Sequence, residues 1–342
     1  PSNSFFNLLN YLSLFLYLII FKSLFYKKKD IFRFCFFLVL LGAFASSVAI
    51  YLYLIGNPDF LILKNTASKY AASGFFVNRT VFSCFLSLCF FSGIEYLKMV
   101  DSYQKDNKDN FFNKIYVRLF ILLITIGIIT SFSRLGNFLF ISIIIIYIIQ
   151  ALYENDKKNR FFLSTLVLIV LFDVLILGFY FGSEKLLQRF LFLQNEVMEY
   201  LPLQNEIKEF LPYSVRDDIS RAALSKFAFI EFKKFIIFGY GGGGFEYLFK
   251  INFQNLSTSY ATHAHSDLME FLGEFGLIGS TLVILTVLFI FTKNYNFCFK
   301  NILLFYLLFF ILIFDFSLHI PIIQLLFILL LSVNYNKSYI LS

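Results

Sequence analysis

Phe120-Ile-Leu-Leu-Ile-Thr-Ile-Gly-Ile-Ile-Thr130-Ser-Phe-Ser-Arg134-Leu-Gly-Asn-Phe-Leu-Phe-Ile-Ser-Ile-Ile-Ile-Ile-Tyr147-Ile-Ile149 carries one charge, Arg134, in thirty residues. A helix rises 1.5 Å per residue and the hydrocarbon core of a bilayer is about 30 Å thick, so about 20 apolar residues suffice to cross it. The stretch therefore reads as two membrane helices joined by the tight turn Ser131-Phe-Ser-Arg-Leu-Gly136, with an arginine at the turn. Apolar runs of about 17–25 residues recur on both sides of it. The whole chain is 59% hydrophobic and only 15% charged, with 51 Phe and a mean hydropathy of +0.75. A soluble domain needs more charge than that on a surface facing water. The expected fold is an all-α, polytopic transmembrane helix bundle. Nine spans are expected, at residues 5–25, 32–55, 75–97, 115–131, 135–152, 161–182, 270–292, 301–318 and 320–335.

Lysine and arginine in short loops set the orientation of such a bundle. Sixteen of them lie in one alternate set of connections, from Lys22 and Lys27–Lys29 through Lys157 and Lys158 to Lys293, Lys300 and Lys337. The other short connections hold only Lys64, Lys69, Arg79 and Arg134, so that set faces away from the cytoplasm. A long loop at 183–269 shares their side. The expected organisation is thus transmembrane helices at 1–182, a large periplasmic loop at 183–269, and further spans with a short cytoplasmic tail at 270–342. The chain begins with Pro1 rather than Met, and an outside start leaves room for a further span before it. The net charge of +7 reflects topology and lipid preference, with no nucleic acid as partner. The four cysteines show no CxxC or ligand spacing, so neither disulfides nor a cysteine metal site is expected.

The long loop holds most of the polar pattern. Leu193-Gln-Asn-Glu-Val-Met-Glu-Tyr-Leu-Pro202 is repeated as Leu203-Gln-Asn-Glu-Ile-Lys-Glu-Phe-Leu-Pro212, two short amphipathic helices each ended by proline. Asp217 and Asp218 are placed to cap a helix over 219–236, with Ala223, Phe227 and Ile230 on its apolar face and Arg221 in its first turn. That helix stops at Gly239-Tyr-Gly-Gly-Gly-Gly244. The glycines, Gly241 among them, serve either as a flexible stop or as a close-approach loop for a ligand. No GK[ST] follows, which removes a P-loop.

Next comes Thr262-His-Ala-His-Ser-Asp-Leu-Met-Glu-Phe-Leu-Gly-Glu-Phe-Gly-Leu-Ile-Gly279. His263 and His265 form an HxH pair, but a metal site needs further ligands and the sequence offers none in place, so no metal is expected. Ser266 and Asp267 are suited to cap the following helix and hold His265 at its mouth. A neutral imidazole there can take a proton from a hydroxyl. Asp315 and His319, one turn apart, are expected to pair with each other.

Four segments together resemble the O-antigen ligase and polymerase superfamily of bacterial envelope glycosyltransferases. They are Gly74-Phe-Phe-Val-Asn-Arg-Thr80, Ser131-Phe-Ser-Arg-Leu-Gly136, Arg221 with Gly239-Tyr-Gly241, and His265 through Gly279. Thr80, Ser266 and Ile236 depart from the usual residues. The resemblance implies a polyprenyl-diphosphate-linked saccharide as donor, a lipid or glycan acceptor, and a site on the periplasmic face of the inner membrane. It also implies Arg79, Arg134 and Arg221 on the diphosphate and His265 as base. His263, Asp267, Glu274 and Gly241 would support them, and transfer would be inverting, with neither cofactor nor metal. The ligase reading is preferred over a polymerase. A transporter would show polar residues through its spans and internal pseudo-symmetry, and neither is seen.

Overall fold

The computed structural model describes residues 2–24, 28–58, 71–103, 108–154, 221–252, 261–294 and 299–332. All regular structure in them is helical: α1 (Ser2–Leu24), α2 (Lys28–Leu54), α3 (Arg79–Tyr103), α4 (Lys108–Thr130), α5 (Arg134–Glu154), α6 (Arg221–Lys234), α7 (Phe245–Asn252), α8 (Asp267–Asn294), α9 (Phe299–Phe314) and α10 (Pro321–Ser332). A short 3₁₀ turn, Ser317–His319, lies between α9 and α10.

Among the described residues five helices are long and apolar enough to cross a membrane, within α2, α3, α4, α5 and α8. The stretches expected at 301–318 and 320–335 form α9 and α10, of 16 and 12 residues. The expected span at 161–182, the tandem repeat and the caps Asp217 and Asp218 lie outside the described residues.

The chain divides into two compact units. One comprises Pro1–Ile19, Glu184–His319 and Asn334–Ser342, and the other Ile20–Ser183 and Ile320–Val333.

In the second unit α3 is the axis, its apolar window entirely buried. A helix shielded on all sides must satisfy its polar groups internally. Ser83 and Ser87 accordingly donate to the carbonyls of Thr80 and Ser83 on their own helix (both 2.8 Å). Small residues let the backbones close up. A Cβ on Gly42 of α2 would lie 2.6 Å from Cys89 Cβ, one on Gly93 of α3 would lie 2.9 Å from Ile121 of α4, and one on Gly136 of α5 would overlap the Ser83 side chain. Contacts between α3 and α5 advance in step, from Ser83 beside Gly136 through Phe90 on Phe140 to Glu95 hydrogen-bonded by Tyr147. The two helices therefore run parallel, with Arg79 and Arg134, their first residues, at the same end.

In the first unit α8 packs on α6, α7 and α9. The apolar face of α6 is Leu224, Phe227 and Ala228, with Glu231 buried beside them. This face is displaced from the expected Ala223, Phe227 and Ile230; only Phe227 is common to both. It closes a small core with Phe245, Phe249, Ala261 and Ala264. The expected continuous helix at 270–292 is instead kinked: Gly276 in α8 has φ 63 and ψ −173. The amides freed there are not lost, since Leu277 donates to the Ile236 carbonyl (2.8 Å) and Ile278 to that of Ile237 (3.2 Å). The stretch after α6 thus takes the place of a missing helical turn.

Candidate functional site

The residues from Ala261 to Ser266 form a bent, non-helical approach to α8. Here the first unit gathers three histidines and three buried carboxylates. Glu270 lies on the first turn of α8 and is 3% exposed. One of its oxygens accepts from the Ala264 amide (2.8 Å), and the other faces His263 Nδ1 (3.2 Å) and His319 Nε2 (3.3 Å). Asp267 bonds through one oxygen to His319 Nδ1 and through the other to the Leu318 amide (2.9 Å). His263 stacks on Phe316 at 5.4 Å, and His265 meets the same ring edge-on at 4.7 Å.

Two expectations need correction. The side chains of Ser266 and Asp267 were expected to cap α8. Asp267 instead reaches the Ser317–His319 turn, and the Ser266 hydroxyl reaches the Leu312 carbonyl at the end of α9 (3.5 Å). The Asp267 amide itself donates to the Asp315 carbonyl (3.0 Å). Asp315 and His319 do not pair either. The Asp315 carboxylate accepts from the Ser317 hydroxyl, leaving His319 to Asp267 and Glu270. The reason is the 3₁₀ turn, which breaks the i,i+4 spacing that would have made them neighbours.

Burial disfavours a charged His319, but the hydrogen bond it donates to Asp267 and the nearby charges of Glu270, Asp267 and Glu274 outweigh it. The imidazole is pushed up to about 9. His319 is therefore an imidazolium at neutral pH, balanced by two carboxylates.

Glu274, one turn beyond Glu270, has a different task. Its carboxylate accepts from the amides of Gly243 (2.7 Å) and Phe245, capping the short helix α7. Its backbone carbonyl accepts from the Gly241 amide (3.0 Å), while Tyr240 donates to Gly273 (2.9 Å) and Gly244 to Gly241 (3.0 Å). The amides of Tyr240, Gly241, Gly243 and Gly244 are thus engaged within the protein. The glycine loop is a brace between α6 and α8. The close approach has its own cause. A Cβ on Gly239 would overlap the Glu274 carbonyl, and one on Gly276 would overlap the Gly239 amide. Beside them the Tyr240 hydroxyl is buried and, among the described residues, makes no hydrogen bond. Burial, then the charges of Glu274, Glu270 and Glu231, raise it above the ordinary phenol range.

His265 sits in this approach with φ 56, a left-handed backbone that few non-glycine residues adopt. Arg221 is the first residue of α6; its side chain lies outside the described ones. In the second unit Arg79 and Arg134 are half-buried at the heads of α3 and α5. Asn78 accepts from the Thr80 amide (2.7 Å) and Ser133 from the Gly136 amide (3.3 Å), so both helices start at defined residues. Two helix N-termini and two guanidinium groups at one end of a parallel pair suit an anion.

The sequence reading gives His319 and Glu270 no place in the site. The signal lay in the spacing Asp267-x-x-Glu270-x-x-x-Glu274, which sets three carboxylates along one side of a helix beginning beside two histidines.

The apolar, membrane-length helices among the described residues define a multi-pass membrane protein, and one of its units holds a buried histidine–carboxylate cluster. Residues 119–284 match the family model described as O-Antigen ligase. Over just under half of its length the chain is thus similar to the O-antigen ligase family. The match takes in Arg134, Arg221, His263, His265 and the glycine brace, with Arg79 outside it. Neither a curated protein nor a solved structure matches the chain.

Proposed function

We propose that this protein transfers a glycan from a polyprenyl diphosphate to an acceptor hydroxyl at the periplasmic face of the inner membrane, as a ligase. In this reading the chain has nine spans, and the loop at 183–269 lies outside the cytoplasm with Arg79 and Arg134. The observation that carries it is the pairing of Arg79 and Arg134 at one end of the parallel helices α3 and α5, in a chain similar to the O-antigen ligase family. Planar guanidinium groups bind diphosphate oxygens bidentately and stay charged at any working pH.

Arg79, Arg134 and Arg221 neutralise the diphosphate as it leaves. His265 accepts the proton of the acceptor hydroxyl, whose oxygen attacks the anomeric carbon. The bond from that carbon to the diphosphate oxygen breaks, and the anomeric centre inverts. Glu274 and Gly241 support the reaction by fixing the brace. His263 and Asp267 hold the approach to His265 against α8 and the Ser317–His319 turn.

The test is glycan profiling of a strain lacking the gene, complemented with wild-type, Arg134→Ala or His265→Asn protein. Lipid-linked polymer accumulating beside a bare acceptor supports the ligase reading. Acceptor carrying a single repeat unit shows a polymerase instead. Unchanged glycans, or full complementation by both variants, overturn the proposal.

A further inference from the structure

We propose that His263, Glu270 and His319 form a binding site for one divalent transition-metal ion of the zinc class. Their ligand atoms all lie within 4.8 Å of one another. Two edges of the triangle, from Glu270 Oε1 to His263 Nδ1 and to His319 Nε2, are 3.2 and 3.3 Å. Four ligands placed tetrahedrally at about 2.0–2.1 Å from a zinc ion stand about 3.3 Å apart, so these edges already have the required length. The same distances are long for charge-assisted hydrogen bonds, which favour about 2.7–2.9 Å. One carboxylate oxygen facing two imidazole nitrogens at such separations is better served by an ion at the centre than by two stretched bonds.

The surroundings fit a metal as well. The remaining nitrogen of His319 is held by the Asp267 carboxylate, the arrangement that fixes ring orientation and raises ligand basicity at metal sites. Asp267 is in turn fixed by the Leu318 amide, and the second oxygen of Glu270 by the Ala264 amide. Both carboxylates are 3% exposed, whereas the His263 and His319 side chains are 30% and 29% exposed. An ion could therefore enter from the imidazole side, with water as its fourth ligand. Two nitrogens and one carboxylate oxygen favour zinc, cobalt or nickel over magnesium and calcium, which prefer all-oxygen sets. The sequence argued against a metal because HxH lacked a third ligand in place. His319, beyond α9, and Glu270, on α8, supply it. The ion would pin three separate segments together next to His265, and its binding does not depend on which glycan, if any, the protein transfers.

The test uses the full chain in detergent, freed of its affinity tag, stripped with chelator and titrated with cobalt(II) alone. One equivalent of cobalt should develop the visible bands of four-coordinate cobalt, and zinc should displace it. His319→Ala and Glu270→Gln should weaken binding at least a hundredfold, and Asp267→Asn about 10–100-fold. Zinc should also raise the melting temperature of the wild type and not of His319→Ala, a readout that shows whether the variant folds. No stoichiometric binding by the wild type overturns the proposal. So does equal binding by wild type, His319→Ala and Glu270→Gln. Neither result depends on transferase activity.

Discussion

Replacing Gly276 by alanine puts a methyl group where the backbone of the glycine brace already runs. The added Cβ would overlap the Gly239 amide nitrogen and stand 2.5 Å from the Ile237 carbonyl oxygen, both main-chain atoms that cannot turn aside. Relief requires α8 to part from 236–241, which weakens the bonds from Leu277 and Ile278 to Ile236 and Ile237. The positive φ costs an alanine about 1–2 kcal/mol, and overpacking adds about 1–3 kcal/mol. Alanine also restricts the unfolded chain, which returns about 0.4–1 kcal/mol. The net loss is about 1–5 kcal/mol. At about 2–4 °C per kcal/mol for a unit of this size, the melting temperature should fall by at least about 2 °C. Gly241→Ala is the matched control: its φ is 97, yet nothing lies within 4 Å of its Cβ, so it meets the conformational cost without the clash. Circular dichroism melts of the purified variants decide the matter. A Gly276→Ala protein as stable as Gly241→Ala would refute the close crossing of the two backbones.

Glu274→Ala removes two charge-assisted bonds to the Gly243 and Phe245 amides and should cost about 2–3 kcal/mol, with Glu274→Gln losing less; equal melts for all three proteins would contradict the capping role. His319 has a folded value raised to about 9 against about 6.5 unfolded, so in chelator-treated protein its stabilising contribution is whole below pH 6.5 and is lost as pH rises through about 9. The stability gap between wild type and His319→Gln should therefore narrow between pH 6.5 and 9.5, and a widening gap would reverse the assignment. Arg134→Lys keeps the charge but not the bidentate fork, and it should restore only a small part of the transfer lost in Arg134→Ala. Equal activity of the lysine variant would point to simple charge neutralisation.

The helices were legible because apolar length is a direct physical requirement of a bilayer. The heads of α3 and α5 were legible because Arg79 and Arg134 interrupt that pattern. Direction and register inside the bundle were not, since the contact of Ser83 with Gly136 rests on two small residues in an otherwise apolar sequence. The break at Gly276 was written only as Gly273-x-x-Gly276-x-x-Gly279, which is compatible with a straight helix until Gly239 is brought against it. Asp267 was misread for a similar reason. A carboxylate at a helix start is locally a cap, and only the distant Ser317–His319 turn gives it a better partner. His319 lies 56 residues from His263, beyond any local spacing rule. The glycine loop suited the close approach of a ligand, while the carbonyls and carboxylate that occupy its amides belong to Gly273 and Glu274, more than 30 residues further along the chain.

The central claim is that His265 takes the acceptor proton during glycan transfer. Its left-handed backbone makes asparagine the suitable replacement, since asparagine tolerates that conformation and cannot act as the base. Transfer from a purified polyprenyl-diphosphate glycan to acceptor should be measured with wild-type and His265→Asn protein of equal melting temperature. The account predicts a loss of about 10²–10⁴-fold in rate, with the lipid diphosphate still bound. A His265→Asn enzyme that transfers glycan at the wild-type rate would contradict it.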